Sequence, residues 1–345
     1  MSARVDRLRE SLEEPLLVSN PCNVRYLIGF NSSNAYLLVD DDRVQLFTDF
    51  RYVEAASEIE EVELVEARRD TLGHLSELLS GRIGFEADHL TYAGFETLAQ
   101  GEVELVPRRG LVEGLRAVKD EEELGTIARA AAITSEAYER LAGEPFVGRT
   151  ERELAWRLQE LFHELGSDGP AFPAIVAAGL NGARPHGVPG ERTLEPGQLV
   201  VIDAGCELDG YASDCTRTFT TGGLPDQLRG AYDVCLEAQR TGLDAVRAGE
   251  AGKDVDAKAR KIIADAGLGE HFRHGLGHGV GLEVHEAPRL ADNSTDTLAV
   301  GNVVTVEPGI YLSGTGGVRI EDLVVVREDG PQVLTTFTKE LVTVQ

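Results

Sequence analysis

Along the first 112 residues the apolar positions fall in short, strand-length runs. Ala35-Tyr-Leu-Leu-Val39 and Arg43-Val-Gln-Leu-Phe47 are strand-like and are joined by the acidic turn Asp40-Asp41-Asp42. Leu72 to Leu79 has a helical period. This stretch reads as an α/β unit and holds no cluster of histidine, cysteine and carboxylate with the look of a catalytic centre. Leu111 to Lys119 reads as the link between two domains, 1–112 and 113–345. A long helix then opens at Asp120, with Glu121, Glu122 and Glu123 in the first turn where the helix dipole favours them, and ends near Gly143.

The second half repeats itself faintly. Thr150-Glu-Arg-Glu153 is a capping box opening a helix to about Leu165, and Gly197-Gln-Leu-Val-Val-Ile-Asp203 is a buried strand ending in a carboxylate. Asp254 is placed to open a second helix to about Ala266, and Gly301-Asn-Val-Val-Thr-Val-Glu307 is again a strand ending in a carboxylate. Gly197 and Asp203 align with Gly301 and Glu307 at one offset of 104 residues. Two such copies facing each other would bring both acids to one place; two ordinary buried strands are the alternative.

Composition narrows the class. A chain of 345 residues suits two domains, and 42% apolar content is ordinary for a globular protein. Nowhere does an apolar run reach the ~18 residues that a membrane span needs, so no membrane is expected. The opening Met1-Ser-Ala-Arg-Val-Asp-Arg-Leu-Arg-Glu10 has no apolar signal region, which makes the cytoplasm the expected location. The formal charge of −26 repels phosphate backbones and argues against nucleic acid as a partner. The cysteines, Cys22, Cys206, Cys215 and Cys235, form no CxxC pair and read as free thiols.

Candidate chemistry lies in the second half. Asp203 and Asp214 flank a hairpin whose turn region is Leu208-Asp-Gly-Tyr211. With Leu208 and Asp209 central, Asp203 directly opposes Asp214; with Asp209 and Gly210 central, the register moves by two. Period-two alternation leaves both aspartates on one face either way. Opposed like charges destabilise a sheet, and a divalent cation between them removes the objection; the alternative is a solvated hairpin with its acids outside. Glu307 precedes Pro308, which favours extended backbone. Glu321 lies in the apolar-ended strand Gly317-Val-Arg-Ile-Glu-Asp-Leu-Val-Val-Val326, where it needs a partner: Arg319, on the same face, or a metal.

Of eight histidines, His271, His274, His278 and His285 fall within fifteen residues, among Gly275, Gly277, Gly279 and Gly281. Glycines there let the backbone approach closely and let imidazoles point inward. Cys206 and Cys215 have odd parity relative to Asp203 and Asp214, so they read as small core residues. Carboxylates with one imidazole suit Mn2+, Co2+, Zn2+ or Fe2+ rather than Cu+ or a cluster.

The ordered set Asp203, Asp214, His278, Glu307 and Glu321 resembles the metal-ligand set of the pita-bread metallopeptidases, in the strings Val201-Ile-Asp-Ala-Gly205, Ser213-Asp-Cys-Thr-Arg217, Gly277-His-Gly-Val-Gly281, Leu282-Glu-Val-His-Glu286, Thr305-Val-Glu-Pro-Gly-Ile-Tyr311 and Val318-Arg-Ile-Glu-Asp322. The likeness is strong over residues 113–345. Asn23-Val-Arg-Tyr-Leu-Ile-Gly-Phe30 and Thr48-Asp-Phe-Arg-Tyr52 look like the creatinase-type N-terminal domain, which points to the proline-specific branch, aminopeptidase P and prolidase. Cys215 stands where members of the family often have an aliphatic residue. The implied fold class is α+β: a C-terminal pita-bread (creatinase/aminopeptidase) fold with a smaller α/β creatinase-type N-terminal domain.

The resemblance implies two divalent ions, Mn2+ or Co2+ first and Zn2+ or Fe2+ after them. Asp203 would bind one ion with both oxygens, Asp214 and Glu321 would bridge, and His278 and Glu307 would complete the other site. His186 and His285 match histidines that hold the substrate, Arg319 matches an arginine that supports the site or binds substrate, and Glu307 would also move the proton. Four carboxylates balance two divalent ions, and paired metals about 3.5–4 Å apart lower the pKa of water between them. The expected enzyme is an Xaa-Pro metallopeptidase acting on short proline-containing peptides, with a homodimer implied. The Thr48–Tyr52 string favours aminopeptidase P; prolidase, acting on dipeptides, is the alternative. Creatine hydrolysis by metal-free relatives and a catalytically inactive pita-bread binding module both belong to chains that lack the full ligand set.

Overall fold

The computed structural model describes residues 3–345. Two compact units divide the chain between Arg116 and Ala117. The first is built on a six-stranded mixed sheet, in spatial order Glu63–Ala67, Val44–Asp49, Ala35–Val39, Leu16–Val18, Ser80–Glu86 and Glu102–Arg108. Val39 pairs with Val44, and Asp40 Oδ1 accepts from the backbone N–H groups of Asp42 (3.0 Å) and Arg43 (2.8 Å). That local hydrogen bonding is what makes aspartate a turn residue. Helix Thr71–Leu78 begins where Asp70 accepts from Gly73 N at 3.2 Å. Leu17, Leu38, Phe47, Leu75, Ile83 and Leu98 share one core. The segment read as a link, within which the boundary between the two units falls, is helical over Leu111–Ala117. Val112 and Arg116 are buried there, and Arg116 Nη1 donates to Asn23 Oδ1 at 2.7 Å. A contact across 93 positions, invisible to local pattern, keeps this polar stretch wound.

The second unit opens with helix Glu121–Ala142, started by a reciprocal capping box between Asp120 and Glu123; Thr150 and Glu153 start helix Glu151–Glu164 in the same way. The internal repeat is architectural. Glu151–Glu164 and Gly252–Asp265 are both 14 residues long. The first helix precedes the antiparallel strands Ile175–Ala178, Leu199–Asp203 and Thr216–Thr220; the second precedes Gly277–Gly279, Val303–Val306 and Asp322–Arg327, with the middle strand central each time. Gly197 and Gly301 introduce the two central strands with φ of 81° and 88°, a backbone shape that disfavours any residue with a Cβ. Glu286–Leu290 and Gly330–Val333 widen the second sheet at its edges. Asp254 does not open its helix: Ala251 is the N-cap and Asp254 lies in the first turn, where the dipole still favours it. The 20-residue helix Asp226–Ala245 had no counterpart among the elements expected from sequence.

Each sheet has its own helical cover. Tyr138, Leu154 and Leu158 pack with Val200, Ile202 and Phe219 on the first; Cys235, Val255 and Ile263 pack with Val304, Val306 and Val324 on the second. Because side chains alternate along a strand, burying Val200 and Ile202 under helices turns Asp203 to the other face, and burying Val304 and Val306 does the same for Glu307. Asp203 pairs with Thr216 and Leu208 with Tyr211. Asp209 and Gly210 are therefore the central turn residues, with φ of 49° and 78°, as a type I′ hairpin requires. This is the register in which Asp214 lies two places from direct opposition to Asp203. Gly205 sits where the arms cross; a Cβ there would collide with the Ser213 carbonyl.

Candidate active site

The two central strands deliver their carboxylates to one buried locus. Asp203 ends its strand, and Glu307 follows Val306 by one residue, with backbone N–H bonded to Leu276 O at 2.8 Å. Asp214 arrives from the hairpin's return arm, and Glu321 from the residue before strand Asp322–Arg327. His278 lies between Gly277 and Gly279, at which a Cβ would collide with the carbonyls of Thr305 and Ala287. Those glycines let its strand sit close enough to reach the acids. His278 Nε2 is 3.2 Å from Glu307 Oε1 and 3.8 Å from Asp214 Oδ2. Ligand atoms of Asp214, His278 and Glu321 all lie within 4.8 Å of one another.

Neighbouring groups orient this set. His278 Nδ1 faces Gly279 O at 3.1 Å, which leaves Nε2 as the nitrogen turned to the acids. Thr305 Oγ1 accepts from His278 N at 3.1 Å and donates to Glu307 Oε1 at 3.2 Å. Arg319 does not pair with Glu321. Its Nη2 donates to Asp203 Oδ2 at 2.6 Å, its Nη1 to Tyr311 Oη at 2.7 Å and to Pro185 O at 3.1 Å, and its Nε to Thr216 Oγ1 at 3.1 Å. Thr216 then donates to Glu321 Oε2 at 2.7 Å. Tyr311 Oη also meets His274 Nε2 at 3.1 Å, while His274 Nδ1 faces Gly275 O at 2.8 Å. Thr216 and Tyr311 were not singled out from sequence, and His274 was noted only as one of four clustered histidines. For Thr216 a signal existed: it lies two residues beyond Asp214, on the same strand face.

The charges are strained. Burial, then the repulsion of Glu321, Asp203 and Glu307, pushes the Asp214 carboxyl well above the usual range; burial, then Glu307 and Asp203, does the same to Glu321. Burial would also raise Glu307, but its hydrogen bond and ion pair with His278 hold it at about 2. Burial pulls the His278 imidazole down, and the bond to Glu307 outweighs this and raises it. Asp203 Oδ1 is buried with no hydrogen-bond partner. An orphaned carboxylate oxygen, a cluster of acids pushed toward protonation and an imidazole nitrogen aimed among them fit a hard divalent cation.

His285 is exposed at the edge, its ring centroid 4.3 Å from that of His278. His186 is exposed on the segment whose Pro185 carbonyl receives Arg319, so it is not packed into the acid cluster. Cys206 and Cys215 are buried in the apolar cluster with Tyr138 and Phe219; the Cys215 thiol donates to the backbone carbonyl of Glu321 at 3.7 Å, not to its carboxylate.

Residues 125–328 match Metallopeptidase family M24, and residues 4–118 match the Creatinase/Prolidase N-terminal domain. The chain belongs to that metallopeptidase family and is an enzyme of the pita-bread fold. An Xaa-Pro dipeptidase of Pyrococcus furiosus is 35% identical over 350 residues, covering 99% of this chain and 100% of that protein. The structure of an Xaa-Pro dipeptidase from Bacillus anthracis superposes with a TM-score of 0.95 at 38% identity, covering 99% of each chain. An X-Pro aminopeptidase from Thermotoga maritima superposes with a TM-score of 0.89 at 33% identity, covering 99% of this chain and 100% of that one. No helix among the described residues is long and apolar enough to cross a membrane.

Proposed function

We propose that this chain is an Xaa-Pro dipeptidase, with Asp203, Asp214, His278, Glu307 and Glu321 holding two divalent ions. The observation that supports it most is the meeting of Asp214, His278 and Glu321 ligand atoms within 4.8 Å of one another, with Glu307 Oε1 3.2 Å from His278 Nε2 and a buried, unpartnered Oδ1 on Asp203. The dipeptidase reading replaces the aminopeptidase P preference drawn from Thr48–Tyr52, because the full-length likenesses at 35% and 38% identity are to Xaa-Pro dipeptidases. Mn2+ or Co2+ suits this oxygen-rich set. The proposal includes the homodimer that the family resemblance implies and the cytoplasmic location expected from the opening residues.

When bound, the ions supply Lewis acidity toward the scissile carbonyl and lower the pKa of water. The chain's own groups do the rest. Glu307 is ionised and can accept a proton at its carboxylate and return it to the departing proline nitrogen. Arg319, tied to Asp203, Thr216 and Tyr311, fixes the orientation of Asp203. His186 and His285, both exposed at the rim, hold the substrate; burial, then the neighbouring His278 charge, pushes His285 down, which keeps it neutral near pH 7.

The test uses chelated protein restored with Mn2+, Co2+ or Zn2+ and offered Xaa-Pro dipeptides, Xaa-Pro-Yaa tripeptides and Met-Ala-Ser-type peptides. Cleavage of the dipeptides, with tripeptides at least about tenfold poorer in kcat/KM, is expected; a tenfold gap is about 1.4 kcal/mol of transition-state binding. Equal or better cleavage of the tripeptide would return the assignment to aminopeptidase P. Cleavage of Met-Ala-Ser alone would remove proline from the account.

A further inference from the structure

His186 rides on a segment with little regular structure of its own: one 3-10 turn, Gly179–Ala183, then an irregular stretch in which Val188 is 80% exposed. Both ends of that segment meet at a single carboxylate. Glu151 is the first residue of helix Glu151–Glu164 and is 1% exposed. Its Oε1 accepts from Ala178 N at 2.8 Å, and its Oε2 from Asn181 Nδ2 at 2.9 Å and Gly190 N at 3.1 Å. Asn181 Nδ2 also reaches across the loop to Val188 O at 3.1 Å. At the tip, Pro185 O receives Arg319 Nη1. Burying a carboxylate is unfavourable unless donors meet it, and the side-chain oxygens of this one are met entirely from the histidine's own loop. The repeated helix uses the same device. Asp256 accepts from Leu276 N at 3.0 Å and from Arg260, which binds the carbonyls of Phe272 and His274 ahead of His278.

We propose that Glu151 is the positioning residue of His186. It acts through the loop, setting the imidazole against the substrate, and takes no part in holding metal. The role rests on the reading of His186 as a substrate-holding group. Glu151→Gln keeps the volume but turns one acceptor into a donor, which then faces the N–H of Ala178 or of Gly190.

Glu151→Gln, His186→Ala and the double variant are compared after loading with Mn2+. Glu151→Gln is expected to lower kcat/KM on an Xaa-Pro dipeptide about tenfold or more, since small misplacements of an orienting group have effects of that order. Metal content stays parental. In the His186→Ala background the same change has less than about a twofold effect, because residues acting as one unit do not add. Losses that multiply overturn the proposal. Hydrogen exchange gives a readout without substrate: the backbone of 178–190 exchanges faster in Glu151→Gln, and that of 274–280 does not. No change, or equal change in both segments, also overturns it. If the parent cleaves no Xaa-Pro peptide, the assigned function fails and exchange alone decides the positioning role. If Glu151→Gln does not fold, Asn181→Ala, which removes the bond to Val188 O and one donor to Glu151, replaces it with the same expectations.

Discussion

Thr216→Val removes one oxygen from the middle of the acid cluster and leaves the shape almost unchanged. Thr216 is fully buried, and its hydroxyl joins Arg319 Nε to Glu321 Oε2. Without it, a guanidinium N–H and a carboxyl oxygen lose partners where water does not replace them. Hydrogen bonds to charged groups are worth about 1.5–3 kcal/mol each. Glu321 is pushed toward its neutral form by burial, which softens its share, so the metal-free protein should lose about 3 kcal/mol. In a unit the size of Ala117–Gln345 that is roughly 6–12 °C in Tm. The Thr216 bond also favours the ionised form of Glu321, so its loss should weaken metal binding by about 10–100-fold, the range for partners that orient ligands. The assay is thermal unfolding with chelator and again across a Mn2+ titration, with Thr216→Ser as the variant that restores the hydroxyl. A Thr216→Val protein with Tm within about 1 °C of the parent and unchanged metal affinity would refute the reasoning.

Three further outcomes are expected of the same site. Asp214 and Glu321 have raised carboxyl pKa values and His278 a raised imidazole, while burial lowers His274 and His285; the lowered pair opposes the others below the ordinary imidazole value of about 6.5, and above it the metal-free folded state binds more protons than the unfolded chain. Its Tm should therefore fall as pH rises from about 7 to 9, whereas Mn2+, which displaces those protons, should stabilise most at the upper end; a metal-free Tm that climbs over this range contradicts the account. His285→Ala should keep its metal and lower kcat by about 10²-fold, the scale of one acid–base or oxyanion-stabilising group; a metal-free purified variant would place His285 among the ligands instead. Changing Cys206 and Cys215 together to Ala should leave metal stoichiometry unaltered, since both thiols lie in the helix-covered core, and a lost ion would mean that the hairpin faces are assigned wrongly.

Local pattern carried much of the fold. The strands at Ala35–Val39 and Leu199–Asp203 and the capping boxes at Asp120 and Thr150 are written in short windows, because alternation and capping act over two to four residues. The helix Leu111–Ala117 and the start of Gly252–Asp265 were not legible. The first depends on a bond from Arg116 to Asn23, and the second begins at Ala251, which has no side-chain cap.

By itself the sequence determined which residues could meet. Period-two parity put Asp203 and Asp214 on one hairpin face whichever turn was chosen, and the offset of 104 matched Asp203 with Glu307. Only the tertiary structure decided how they meet. It chose the Asp209-Gly210 turn, because that register closes the ladder from Leu208–Tyr211 to Asp203–Thr216. It gave Arg319 to Asp203 rather than to Glu321, and set Thr216 between them. It also drew Glu151, 35 positions before His186, under that histidine's loop. Parity is a property of one strand's backbone. Partner choice depends on distances between segments about a hundred residues apart, such as Thr216 and Arg319, and those exist only once both sheets have packed under their helices.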